Sequence, residues 1–219
     1  MTPPSDEPAG SLAERLRDQV AAIEAHLEGA NTARERALAA TRRVIRAAGS
    51  SIRAVHRLAP DVAAELAAES EAALRDAQRE LAPYPAVAHA GFLHDAEKEY
   101  VEARAVVALV AGEPVPGPEE LAVSPTAWMR GVAEAASELR RHLLDRLRAG
   151  EVRRAEELLG RMDDVYDALV VVDYPDALTG GLRRTLDALR AVLERSRGDV
   201  TTSALQLRLQ QAIERGGRP

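Results

Sequence analysis

Two acidic pairs at helical spacing are the residues of this sequence best suited to chemistry. Glu99 and Glu102 are three residues apart. Glu134 and Glu138 are four apart, so each pair would project from one side of a helix. Two such helices crossing face to face would gather four carboxylates, and hard oxygen ligands of this kind suit Mg²⁺ or Mn²⁺. A metal there could activate water and stabilise charge on a phosphate, and Arg141 could hold the phosphate or a carboxylate.

The first pair lies in an apolar segment. On a helical wheel of about 100° per residue, Glu99 falls near the centre of an apolar stripe, with Asp95 and Glu102 on its flank. The stripe consists of Phe92, Ala96, Ala103, Val106, Val107 and Val110. An ionised carboxylate facing the core is costly unless a cation, a metal or a proton compensates it. A structural arginine and a metal both meet that need, and the wheel leaves both open.

The second pair has a simpler alternative interpretation. The apolar face of its helix is formed by Met129, Val132, Ala136, Leu139 and Leu143. Glu134 and Glu138 lie nearly opposite that face, as in a solvated acidic surface with Arg130 and Arg141 as helical partners. The five histidines show no metal-ligand spacing, and we expect His94 to lie at the surface. The sequence has no glycine-rich phosphate loop, Ser-His-Asp pattern or zinc pattern.

The elements that carry these residues are predicted to be helices throughout. Ala, Leu, Glu and Arg, all strong helix formers, dominate the 219 residues. We predict an all-α, single-domain antiparallel bundle of about seven helices over residues 11–214. Residues 1–10 are predicted to be a disordered tail and residues 215–219 a C-terminal tail. Small side chains and many apolar faces indicate close helix packing and oligomerisation.

Capping signals place the helix boundaries. Capping boxes at Ser11–Glu14 and Thr32–Glu35 predict one helix ending near Gly29 and a second ending near His56. The first would carry an apolar stripe of Leu12, Leu16, Val20, Ile23 and Leu27. Five further helices are predicted at about 61–81, 86–111, 125–148, 151–172 and 182–197, followed after a break at Gly198 by a terminal helical piece at about 200–214. Ser124 is the expected N-cap of the helix that ends at Gly150.

The charge pattern limits how the chain could bind nucleic acid. The formal net charge is −6, so such binding must come from a local patch. The candidate patch is an arginine stripe on the second predicted helix, which is either a solvated face or a phosphate-binding strip. It consists of Arg42, Arg46, Arg53 and Arg57. The absence of cysteine excludes thiolate metal sites. No apolar run reaches transmembrane length and the N-terminus is unlike a signal peptide, so we expect a cytoplasmic protein without membrane contact.

Two blocks of the sequence resemble the translin family. Lys98-Glu-Tyr-Val-Glu-Ala103 is similar to the segment that carries catalytic acids in the translin-associated factor X (Trax) branch. Gly131 to Arg141 is similar to the next family block, Gly-Val-Ala-acidic-x-x-x-Glu-Leu-x-Arg. The resemblance covers most of residues 31–197. Translin itself lacks the acidic pair on the earlier helix, so the chain resembles Trax more closely.

The resemblance implies a fold and an activity. Family members are all-α subunits of seven helices that form closed, often octameric, shells and bind single-stranded RNA or DNA, and the Trax branch cleaves RNA with Mg²⁺. By position, Glu99, Glu102 and Glu134 would be the catalytic acids and the ligands of Mg²⁺ or Mn²⁺. Glu138 and Arg141 would occupy neighbouring active-site positions. Trax has an Asp where this chain has Glu134, so the metal geometry could differ.

Three functions are therefore open at the level of the sequence. The first is a Mg²⁺-dependent endoribonuclease that acts on single-stranded RNA inside a homo-octamer. The second is a non-catalytic oligomer of the translin type that binds RNA or DNA through the arginine stripe. The third is a helical scaffold protein with neither activity.

Overall fold

A computed structural model describes residues 11–216 of the protein, in which helices are joined by turns and loops and no strand is present. The predicted N-terminal tail, residues 1–10, and residues 217–219 of the C-terminal tail predicted at 215–219 lie outside the described residues. Residues 215–216 still belong to the last helix, so the predicted start of that tail is wrong. Eight helices span the range: α1 Leu12–His56, α2 Pro60–Leu81, α3 Pro85–Ala88, α4 Phe92–Ala111, α5 Pro125–Arg148, α6 Val152–Val170, α7 Asp176–Thr179 and α8 Leu182–Gly216. The all-α class is confirmed.

The first two predicted helices form one 45-residue helix. The capping box at Ser11 begins α1 as expected, but the chain stays helical through Gly29 and Thr32, so the predicted second start is wrong. A capping-box sequence does not end a helix by itself, and Ala30, Ala33 and Ala37 are buried along this stretch. The apolar stripe that begins at Leu12 is 52–68% exposed and forms no part of the core of this chain.

Glycines explain two other differences in the helix boundaries. Gly91 adopts φ +97° and separates α3 from α4, where a single helix was predicted. Gly198 lies inside α8, so the predicted break there is wrong. A glycine inside a helix costs only about 1 kcal/mol relative to alanine. The buried side chains of Leu193 and Val200 on either side of Gly198 keep that part of α8 packed on the bundle.

Helix α4 lies at the centre of the bundle and packs against α1, α2 and α5, while α5 also packs against α6 and α8. Because α4 is covered on several sides, its buried residues lie nearly all round the helix rather than on one stripe. Large buried side chains at its contacts include Tyr100 of α4, Leu74 of α2 and Leu139 of α5. None of the helices within residues 11–216 is long and apolar enough to cross a membrane.

Candidate metal centre

A glycine brings α4 and α5 into close contact. A Cβ atom on the buried Gly131 of α5 would lie 2.7 Å from the backbone oxygen of Lys98 and 2.7 Å from the Cβ of Val101. Only glycine therefore fits at this crossing without moving a helix. Glu134 follows Gly131 by about one turn and faces the same side of α4.

This crossing gathers the three carboxylates that were predicted as metal ligands. One oxygen each from Glu99, Glu102 and Glu134 lies within 4.8 Å of the others, and all three residues are partly buried. Three convergent carboxylate oxygens are a donor set that suits a hard divalent cation. Glu138 and Arg141 lie further along α5, outside this group, and Arg141 is exposed.

Lys98 supplies the positive charge inside the group. Its Nζ lies 3.0 Å from Glu99 Oε1 and donates a hydrogen bond to Glu134, and its side chain is only 12% exposed. Burial alone would lower the pKa of Lys98, but the two carboxylates together raise it. The cation that compensates Glu99 is thus a neighbouring lysine and not the arginine considered from the sequence.

The helical wheel placed the buried acid of α4 at the wrong position. The Glu99 side chain is 29% exposed, whereas Glu97 is almost fully buried. The Glu97 carboxylate accepts hydrogen bonds from the backbone N–H of Ser124 at 3.1 Å, the Ser124 hydroxyl at 2.8 Å and the Gln78 amide at 3.2 Å. Glu97 therefore anchors the N-cap residue of α5 to α4. The wheel could not distinguish the two acids because α4 is apolar on several faces.

The group remains electrostatically unbalanced despite Lys98. Burial, and then the negative charges of Glu99 and Glu134, raise the pKa of Glu102 to about 8, although Lys98 acts in the opposite direction. One lysine does not neutralise three neighbouring carboxylates at neutral pH. A divalent cation would offset both the burial and the repulsion that raise the pKa of Glu102. The residues present therefore fit Mg²⁺ or Mn²⁺ by both their oxygen donors and their charge.

Glu138 pairs with a histidine from the other side of the bundle. The Nε2 of His56, at the end of α1, lies 2.6 Å from Glu138 Oε1, and the histidine side chain is 3% exposed. The predicted solvated acidic face is therefore wrong, because Glu134 and Glu138 face α4 and α1. Within residues 11–216 the basic side chains that contact them are those of Lys98 and His56 rather than the expected Arg130 and Arg141. No sequence spacing signals the histidine, which is 82 residues away from Glu138.

The position of His94 also differs from the sequence prediction. His94 is partly buried, and its Nδ1 lies 3.2 Å from the hydroxyl oxygen of Ser124. Ser124 is the N-cap of α5, as predicted, with its hydroxyl accepting from the Ala127 N–H. His94 therefore belongs to the junction between α4 and α5 and not to an isolated surface position.

The arginine stripe on α1 is exposed along its whole length. It comprises Arg42, Arg46, Arg53 and Arg57. Arg53 donates to the Ser50 hydroxyl at 2.8 Å, and Arg57 donates to the backbone oxygen of Arg53 at 3.2 Å. Its last member directly follows His56, which contacts Glu138. The stripe thus ends next to the residue that pairs with Glu138, and its exposure fits both a solvated face and a phosphate-binding strip.

Solved structures share this arrangement of helices. The crystal structure of AfC3PO, an archaeal translin/Trax complex, matches this chain with a TM-score of 0.79 and 28% identity, over 86% of this chain and 98% of that one. AfC3PO in a complex with duplex RNA matches with a TM-score of 0.71 and 30% identity, over 86% of this chain and 97% of that one. This chain belongs to the translin family.

Other comparisons of this translin-family chain are less specific. The apo form of NeC3PO, from Nematostella, is 20% identical with a TM-score of 0.72, which shows a similar fold. The alignment covers 91% of this chain and 100% of that one. The uncharacterized protein MJ0175 of Methanocaldococcus jannaschii is 29% identical over 126 residues. That alignment covers 57% of this chain and 56% of MJ0175, so the chain matches about half of that relative. No model of a known protein family matches the sequence.

Proposed function

We propose that this translin-family protein is a metal-dependent endoribonuclease that binds RNA and hydrolyses its phosphodiester bonds. The observation that carries the proposal is the convergence of Glu99, Glu102 and Glu134 at the crossing of α4 and α5. The raised pKa of Glu102 supports it, because burial and the neighbouring carboxylates both disfavour its charged form in the absence of a further cation. The match to AfC3PO in a complex with duplex RNA supports RNA as the ligand.

The residues of the chain divide the chemistry between them. Glu99, Glu102 and Glu134 would hold Mg²⁺ or Mn²⁺, which supplies Lewis-acid stabilisation to the phosphate and a lowered pKa to water. Glu138 stands outside this group with Oε1 bound to His56, which leaves its second oxygen free to accept a proton from the attacking water. Arg141, exposed about one turn further along α5, would bind the phosphate and stabilise the charge that develops on it.

The proposal includes a homo-oligomeric assembly, with an octamer as the expected size. Two apolar faces support association because the described part of a single copy, residues 11–216, leaves them exposed. One is the stripe at the start of α1, and the other lies on the last turns of α8, where Leu205, Leu209 and Ile213 are each at least 58% exposed. Single-stranded RNA is the proposed substrate, with single-stranded DNA as a further ligand.

An RNA cleavage assay tests the proposed activity. Purified protein should cut single-stranded RNA in Mg²⁺ or Mn²⁺ and lose this activity in EDTA. Glu99→Gln should abolish cleavage and leave the oligomer intact in light scattering, whereas Glu120→Gln, an exposed acid outside the group, should cut normally. Undiminished cleavage by Glu99→Gln would reject the assignment. Parallel reactions with duplex RNA test the preference for single strands.

The second candidate function is RNA binding without catalysis, which the exposed arginine stripe of α1 favours. Its signature is salt-dependent binding with no cleavage in any divalent metal. If the affinity for RNA is unchanged when the arginines of the stripe are replaced, RNA binds to another surface. Failure to bind any single-stranded oligonucleotide at low salt would leave the scaffold function.

A further inference from the structure

The acidic group contains an unusual cation for this sequence. Lys98 is the only lysine among the 29 lysine and arginine residues of the chain. It lies at the crossing of α4 and α5, with its side chain only 12% exposed. Every other basic side chain apart from the histidines is an arginine, so the only side-chain ammonium group of the sequence lies among these carboxylates.

The ammonium binds two of the three carboxylates that would hold the metal. It lies 3.0 Å from Glu99 of its own helix and donates to Glu134 of α5. In this position it joins α4 to α5 and offsets the repulsion between their acids. A divalent cation bound by the same oxygens would lie close to this positive charge, where like charges repel strongly in a partly buried site. The Lys98 ammonium and a divalent cation therefore cannot both bind Glu99 and Glu134 closely at the same time.

We propose that Lys98 is an internal counter-ion that occupies the acidic group without metal and leaves Glu99 and Glu134 when a divalent cation binds. The inference rests on the metal site of the proposed function and adds how that site is kept assembled when metal-free. A lysine suits such an exchange because its ammonium is a compact charge on a flexible four-carbon stem. An arginine fork, held by paired planar hydrogen bonds, would be displaced less readily.

Thermal unfolding of the full-length protein in EDTA and in saturating Mn²⁺ tests the exchange. In EDTA, Lys98→Met should lower the Tm by several degrees, because the acids of α4 and α5 then repel without a counter-ion. In Mn²⁺ the difference from the wild type should disappear, since the metal replaces the lysine. In calorimetric titrations, Lys98→Met should bind Mn²⁺ about tenfold more tightly, because no ammonium competes.

A matched control separates exchange from ordinary loss of an ion pair. Arg140 of α5 donates to Asp199 at 2.7 Å and to Ser196 at 2.9 Å, both on α8, and its side chain is 24% exposed. Arg140→Met should lower the Tm equally in EDTA and in Mn²⁺. An equal loss for Lys98→Met in the two conditions would show a permanent bridge and overturn the inference, as would unchanged or weaker Mn²⁺ binding.

The outcomes also distinguish this inference from the proposed activity. A wild-type protein that binds Mn²⁺ and shows the exchange, but cuts no RNA, would refute the endoribonuclease and keep the role of Lys98. Conversely, if the protein cuts RNA with Mg²⁺ but Lys98→Met is equally destabilised with and without Mn²⁺, the endoribonuclease would stand and the proposed role of Lys98 would be refuted.

Discussion

The close contact of α4 and α5 at Gly131 makes a sharp prediction for the variant Gly131→Ala. The added methyl group would lie 2.7 Å from the Lys98 backbone oxygen and 2.7 Å from the Val101 Cβ, against the 3.4–4 Å of ordinary contacts. Neither the Lys98 backbone oxygen nor the Val101 Cβ can move away by a side-chain rotation. The helices must therefore separate by about 0.7 Å or more at this crossing.

The expected size of the effect follows from that displacement. Overpacking of this kind costs about 1–3 kcal/mol, and the better helix propensity of alanine returns about 1 kcal/mol. A net loss of up to about 2 kcal/mol in the free energy of unfolding is expected. The larger effect should fall on metal binding, because a shift of about 0.7 Å exceeds the roughly 0.2 Å tolerance of metal–ligand distances. Mn²⁺ affinity should fall by about 10- to 100-fold.

Calorimetric Mn²⁺ titration and urea unfolding measure the two effects, with Gly160→Ala as the matched control. Gly160 lies within α6, where an added Cβ would meet nothing within 4 Å. That substitution should stabilise the protein by about 0.5–1 kcal/mol and leave Mn²⁺ binding unchanged. A Gly131→Ala protein that matched the Gly160→Ala control in both stability and Mn²⁺ affinity would refute the close-contact argument.

Two further predictions concern pH and salt. Since the pKa of Glu102 is raised to about 8, the folded metal-free protein retains a proton that the unfolded chain releases near pH 4.5. Glu102 therefore contributes stability that is lost as the pH rises between these values, so the Tm advantage of the wild type over Glu102→Gln in EDTA should shrink across that range; an advantage that grows would contradict it. Replacing the four stripe arginines of α1 by Gln should weaken RNA binding and lower its salt slope by about 0.7 per lost contact, measured by fluorescence anisotropy. Four exposed arginines of α8 serve as the control, with little effect expected: Arg183, Arg184, Arg190 and Arg195.

The sequence was sufficient for features that depend on local chemistry. Helix-forming composition predicted the all-α class, and the N-cap at Ser124 correctly placed the start of α5. The spacing of Glu99 and Glu102 places both acids on one side of α4, where Glu134 reaches them. Their roles in catalysis remain predictions.

Features that depend on contacts between helices could not be obtained in the same way. The wheel assumed that α4 has one covered face, but α1, α2 and α5 all pack on it, so the buried acid is Glu97 rather than Glu99. The pair of His56 with Glu138 joins residues 82 positions apart, which no local pattern encodes. The sequence marks Lys98 only as part of a family motif. Its hydrogen bond to Glu134 depends on the close approach of α5 to α4 at Gly131, which no local pattern predicts.

The central claim is that Glu99, Glu102 and Glu134 bind a divalent metal ion. Its most direct test is a crystal structure of the protein soaked in Mn²⁺, with anomalous diffraction to locate the metal. The proposed metal site predicts an anomalous peak at the crossing of α4 and α5, from a manganese ion coordinated by the carboxylates of Glu99, Glu102 and Glu134. A map with no manganese at these three carboxylates, at a concentration that supports RNA cleavage, would contradict it.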